Sequence, residues 1–368
     1  MSTDFSTLIG LVERYSPSGQ ERGAVEWLVE RMGALAFGEA FVDEAGNAVG
    51  VMGSGQRQVV LLGHIDTVPG EIKVERDSIS LYGRGSVDAK GPLACFVDAV
   101  AQVGMVDGWQ FVVIGAVEEE RDSDGARFVA AQYQPDFSII GEPNNWDRVA
   151  LGYKGSAWAD VMVRREQAHT ASGEQTAAEA AIDVWVAVKA FAETFNIGKQ
   201  RAFDKVLPTL RKMESGEDGF EQWAQLRIGV RLPVEMAPDE WYAELEKTLK
   251  VFAKRPRCDS KGVETFRVSV DRVGYPVPAW ECEKNSPLVR AFLNGIRQVG
   301  GAPRFVYKTG TADLNVVAPV WRCPALVYGP GDSALDHTPN EHLSLDEYKK
   351  AVSVLVGTLR KLTEFSSR

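Results

Sequence analysis

Two stretches of the chain carry imidazole and carboxylate groups at spacings that could do chemistry. VVLLGHIDTVP (59–69) is a β-branched and aliphatic run that ends in His64 and Asp66. Residues two apart on a strand face the same side, so the Asp66 carboxylate can lie beside the His64 imidazole, where a metal-bound histidine usually donates its second ring N–H. GRGSVDAKG (83–91) then presents Asp88 from a glycine-rich turn, where the backbone bends tightly. An H-x-D triplet alone is common in ordinary structure.

Further carboxylates follow other apolar runs. Glu118, Glu119 and Glu120 come directly after FVVIGAV (111–117), and Glu142 lies at the end of DFSIIGEP (136–143). Most acidic runs are solvated turns. At the end of a buried strand, however, successive carboxylates repel one another unless cations neutralise them. The chain has only four histidines, His64, His169, His337 and His342. His337 sits in the loop GPGDSALDHTPNEH (329–342) after an apolar strand and is a ligand candidate, whereas His342 reads as a solvent-facing or hydrogen-bonded imidazole. The four cysteines, Cys95, Cys258, Cys282 and Cys323, form no C-x-x-C pair and read as reduced structural thiols. Imidazole and carboxylate donors without thiolate suit two hard divalent cations, zinc, cobalt or manganese, in a hydrolytic site.

These residues must be held by regular elements. Apolar spacing predicts helices over 4–15 and 20–35, with Ser18 and Glu21 as a capping box. Residues 41–53 read as a hairpin leading to the His64 strand, and 92–103 as a helix with Pro92 in its first turn. Strands over 110–117 and 136–143 alternate with helices, which predicts an α/β fold: a mostly parallel sheet with the site at the carboxyl ends of its strands. From about 155 the order becomes β-α-β-β-α-β, with strands near 155–165, 203–213, 224–232 and 264–273 and helices over 174–195 and 237–253. That order is a ferredoxin-like α+β insertion. The expected division is 1–154 with 275–368 as the larger domain, and 155–274 as the inserted one. In the returning segment 286–299 and 344–364 are helical and 324–329 is a strand.

At 368 residues and 45% hydrophobic content the chain can bury more than one core. A formal charge of −10, from 41 basic against 51 acidic residues, argues against general nucleic-acid binding. No apolar run approaches the roughly 18–20 residues that span a bilayer, and MSTDFSTLIGLVERY lacks the pattern of a signal peptide. The expected location is the cytoplasm.

GHIDTVP, GRGSVDAKG, VEEE, GEP and DHTPNEH, in this order, resemble the dinuclear-metal amidohydrolases that include acetylornithine deacetylase, succinyl-diaminopimelate desuccinylase and glutamate carboxypeptidases. The resemblance covers nearly the whole chain. It implies that His64 and Glu142 bind one metal, that Glu119 and His337 bind the other, and that Asp88 bridges them. Asp66 would support His64, and Glu118 would be the general base that accepts a proton from water and returns it to the departing amine. It also implies a cis peptide after Asp88, and an inserted domain that serves as lid and dimerisation module. QAHTAS (167–172) matches the family's histidine motif, so His169 would reach a partner's active site and stabilise the oxyanion. An exposed loop histidine is the other reading.

GVR (229–231) resembles the family's arginine motif, with Gly229 where Asn or Asp is common; that departure leaves the carboxylate-binding role of Arg231 open. LGYKGS (151–156), KTGTADLN (308–315) and 328–342 look most like the lysine and ornithine hydrolases that act on the small acidic amino-group carrier protein LysW. Asp313 could then meet a substrate ammonium and Lys308 or Arg231 a carboxylate, while Thr311 would belong to a loop shaping the pocket. Arg164-Arg165, Lys205, Arg211-Lys212 and KRPR (254–257) could form a basic docking surface for the carrier. Two alternatives remain open at this point: hydrolysis of free N-acetylornithine or N-acetyl-lysine, and a catalytically silent binding protein.

Overall fold

A computed structural model describes residues 5–252, 255–256, 263–264 and 266–364. The described residues fall into two compact units, one drawn from Met1–Gly152, Glu281–Lys308 and Ala312–Arg368, the other from Tyr153–Trp280 with Thr309–Thr311.

The larger unit is built on a mixed sheet. Arg57–His64 lies at its centre, parallel to Trp109–Ala116 on one side and Phe137–Gly141 on the other, and Ala325–Val327 continues the parallel run. Ala48–Met52 with Glu39–Val42 close one side as antiparallel strands, and Arg148–Tyr153 pairs antiparallel with Ala325–Val327 on the other, with further strands paired to it. Val59, Val60, Leu61 and Leu62 are all fully buried. Helices cover the parallel strands, which is why they read as continuous apolar runs instead of alternating. The helix Lys90–Val103 is buried along most of its length and packs against both the His64 strand and the helix Leu345–Glu364.

The registers bring the chemistry to one rim. His64 is level with Ala116, and Gly63 with Gly141, so three neighbouring strands end together in His64, the Glu118–Glu120 turn and Glu142. A small antiparallel sheet pairs His342–Ser344 with Ser80–Tyr82. This pairing carries the loop that ends at His342 to the start of the GRGSVDAKG turn. In that turn Gly85 has φ +83, and a Cβ there would lie 2.8 Å from the Thr67 side chain, so glycine is required. The Asp88–Ala89 peptide is cis.

Local details differ from expectation. The helix Arg22–Ala34 has no side-chain cap hydrogen bond; Ser18 Oγ instead donates to Asp66 Oδ2 at 2.7 Å, and Glu21 accepts from the Gly19 N–H. A complete capping box occurs at Thr176 and Glu179, opening the helix Ala177–Phe195.

The main sheet of the smaller unit is antiparallel, in the order Leu207–Glu217, Glu221–Leu232, Gly155–Glu166, Arg267–Val277. The helices Ala177–Phe195 and Pro238–Phe252 cover one face, giving the ferredoxin-like β-α-β-β-α-β arrangement. The last strand runs to Val277, beyond the expected 273, because Val277 pairs with Ser156. Cys95, Cys282 and Cys323 are free thiols, and Cys258 lies outside the described residues.

Candidate metal centre

His64 is 1% exposed at the end of its strand. Its Nδ1 lies 3.0 Å from the Asp66 carbonyl oxygen and 3.4 Å from Asp66 Oδ1, and its Nε2 lies 3.2 Å from Asp88 Oδ1. Burial alone would lower the imidazole pKa, but the Asp66 and Asp88 carboxylates hold it well above the usual value. Asp66 does more than orient this ring. Its two oxygens accept the backbone N–H groups of Glu119 and Glu120 at 3.0 and 3.1 Å, so it also folds the acidic turn. Ser18 supplies a further donor.

The turn begins at Glu118, a non-glycine residue with φ +60. This left-handed step sends the three glutamates in different directions. Glu118 meets Arg121 at 3.4 Å and stays partly exposed. Glu119 is turned toward His64, and Glu120 meets His337 Nε2 at 3.1 Å. His337 Nε2 also lies 3.0 Å from Asp88 Oδ2, and its pKa is pushed up to about 10 by the Asp88 and Glu120 carboxylates. Three donor groups result: His64 with Asp88 and Glu142, Asp88 with Glu120 and His337, and His64 with Glu119 and Glu120.

Burial pushes the Glu119 and Glu142 carboxyls well above their ordinary range; His64 opposes the shift, while each also feels the other acids around it. So many carboxylates converging on two imidazoles repel one another, a repulsion that divalent cations would neutralise. A nitrogen and oxygen donor set of this kind fits such ions.

Residues 60–361 match the family described as Peptidase family M20/M25/M40. The chain belongs to this family. A [LysW]-lysine hydrolase of Deinococcus radiodurans is 44% identical over 355 residues, covering 94% of this chain and 93% of that protein. A [LysW]-lysine/[LysW]-ornithine hydrolase of Sulfurisphaera tokodaii is 28% identical, covering 96% and 94%. Among solved structures, a dinuclear metal-binding M20 peptidase of Bacillus subtilis shares the fold, with a TM-score of 0.69, 10% identity and 98% coverage of both chains.

Within this M20 centre the expected ligands His64, Asp88, Glu142 and His337 come together, but the acidic turn departs from expectation by one residue. The expectation pairs Glu119 with His337; the structure pairs Glu120 with it. Glu118, the expected base, belongs to none of the three donor groups. Nothing in a run of three identical residues marks which one turns inward, because the left-handed step at Glu118 decides it.

Of the expected substrate residues, Asp313 is 2% exposed and near the centre, with the Ser123 side chain beside its carboxylate. Burial raises its pKa to about 7. The Lys308 ammonium, expected at a substrate carboxylate, donates instead to the Pro143 carbonyl at 3.0 Å and to Ser333 Oγ at 2.7 Å.

In the smaller unit, Arg231 donates to Thr311 Oγ1 at 3.0 Å beside a pocket of about 110 Å³ that is also lined by Ser156, Trp158, Thr209 and Arg211. A Cβ at Gly229 would lie 3.0 Å from the Trp158 ring, so the indole occupies the space that an Asn or Asp would need. His169 is exposed, its Nδ1 accepting the Ala171 N–H at 3.1 Å. Much of the expected basic surface is neutralised internally: Arg164 pairs with Glu221, Arg165 with Glu174 and Lys212 with Glu214. Arg211 lies over Trp158, and Lys254 and Arg257 of the KRPR run are outside the described residues.

Proposed function

We propose that this chain hydrolyses the amide linking lysine, or ornithine, to the γ-carboxyl of the C-terminal glutamate of LysW. The observation that carries the substrate is the 44% identity, over 94% of this chain, to the [LysW]-lysine hydrolase of Deinococcus radiodurans. The converging imidazoles and carboxylates support the chemistry.

His64, Asp88 and Glu142 would hold one cation, and Asp88, Glu120 and His337 the other, with Asp88 shared. When bound, two divalent cations polarise the amide carbonyl and make water more acidic; Zn²⁺ is the proposed metal, with Co²⁺ as a substitute. Glu119 is the proposed general base. It is half-buried and faces His64, and although it joins His64 and Glu120 in one donor group it has no part in the two groups that share Asp88, so its carboxylate can take a proton from water and deliver it to the departing amine. Glu118, the alternative base, has its carboxylate beside the Arg121 guanidinium.

Asp313 is the candidate partner for the substrate's side-chain ammonium, since a buried carboxylate gains from a cation placed against it. Arg231 with Thr311 is the candidate carboxylate subsite, and Arg211 is a candidate contact for the carrier's acidic surface. We further propose a cytoplasmic homodimer, in which His169 of a partner subunit serves the oxyanion, acting in lysine and arginine biosynthesis. Ala178, Ile182, Val186 and Ala190 form a stripe at helical spacing on Ala177–Phe195, with Ile182 and Val186 50% and 56% exposed, which suits burial against a second copy.

The test is amino-acid release by zinc- or cobalt-loaded protein from LysW bearing γ-linked lysine or ornithine, compared with the free N-acetyl amino acids. Release from the carrier conjugate alone supports the proposal. Turnover of the acetylated compounds with the conjugate untouched overturns the substrate and leaves the metal chemistry.

A further inference from the structure

Two residues outside the donor set bind the two loops that carry Asp88 and His337. Glu341 is 1% exposed, and its carboxylate is bonded to the Asp88 turn. Oε1 accepts the N–H groups of Val87 and Asp88 at 2.9 and 3.0 Å, and Oε2 accepts from Arg84 Nη1 at 2.8 Å. The Glu341 carbonyl accepts the Gly83 N–H. Arg84, itself 7% exposed, reaches further: Nε donates to the Gly70 carbonyl at 2.9 Å, and Nη1 donates to the carbonyl of Thr338, the residue after His337, at 3.2 Å.

A buried ion pair is by itself weak evidence for stability, because desolvation cancels much of the attraction. What this pair does is geometric. Asp88 and His337 stand on irregular backbone, with His337 at φ +61, whereas His64 and Glu142 are placed by parallel strands. We propose that Arg84 and Glu341 are positioning residues for Asp88 and His337, so that breaking the pair weakens the Asp88–Glu120–His337 site, which uses both residues, more than the His64–Asp88–Glu142 site, which uses only Asp88. The inference rests on the proposed dinuclear reading.

The experiment is Zn²⁺ titration of metal-stripped protein followed by equilibrium dialysis, with Co²⁺ absorption spectra as a second readout. It compares wild type, Arg84→Lys and Glu341→Ala. Arg84→Lys keeps the charge but loses the fork that reaches three carbonyl and carboxylate oxygens at once. The control is Asp98→Asn, which damages a buried network with Thr7 and Tyr348 in the same unit.

The expected result is two ions in wild type and in the control. In both Arg84→Lys and Glu341→Ala one ion should bind about 10–100-fold more weakly, and the other, held also by His64 and Glu142, should weaken distinctly less. Unchanged affinities at both sites overturn the inference, as do losses at both sites that merely follow the fall in Tm seen with Asp98→Asn. Fewer than two ions in wild type overturns the dinuclear reading and the inference with it.

Discussion

The two halves of the metal centre are built by different means. His64 and Glu142, 1% and 8% exposed, sit at the ends of hydrogen-bonded parallel strands whose register places them. The other half draws on a turn and two loops, and its His337 side chain is 52% exposed. In the first half the backbone ladder is the positioning device; in the second, side chains must serve, with Asp66 folding the glutamate turn and Arg84–Glu341 tying the loops. Ligands on a sheet inherit the rigidity of the core, whereas ligands on loops depend on a few specific bonds.

The comparison can be broken most sharply at the acidic turn. Glu119→Gln should lower kcat by about 10²–10⁴-fold while both cations stay bound, as checked by metal analysis. Loss of a cation together with activity would make Glu119 a ligand instead. Truncating the strand behind His64, as in Leu61→Ala, should cost roughly 2–5 kcal/mol in denaturant unfolding, because Leu61 is fully buried. In that variant the affinity of the strand-borne site should fall before that of the loop-borne one.

Chelation should come next in size. A cation present at 100 times its Kd contributes about 2.7 kcal/mol. Stripping each ion should therefore lower Tm by roughly 5–10 °C for a unit of this size. Amide exchange should then open the His337 loop before the strands. Smallest is Glu118→Gln, which removes a partly exposed pair with Arg121. Exposed pairs contribute about 0–1 kcal/mol, so kcat and metal content should stay within about threefold of wild type; a large loss of turnover would restore Glu118 as the base.

The sequence by itself determined the α/β class, the inserted ferredoxin-like unit and four of the converging donors, His64, Asp88, Glu142 and His337. Short-range physics suffices for His64 and Glu142, because apolar runs make buried strands and a polar residue at a strand's end is delivered to the rim; Asp88 and His337 stand on loops and were legible through the resemblance of their motifs. Only the tertiary structure shows which way Glu118, Glu119 and Glu120 turn, because that depends on a left-handed φ and on an Asp66 carboxylate 53 and 54 residues away. It likewise drew Ser18 from a helix cap to Asp66, gave the Lys308 ammonium to Pro143 and Ser333, and joined Arg84 to Glu341 across 257 residues. Each of these is a side-chain hydrogen bond between segments remote in the chain, and local propensity carries no record of such a partner.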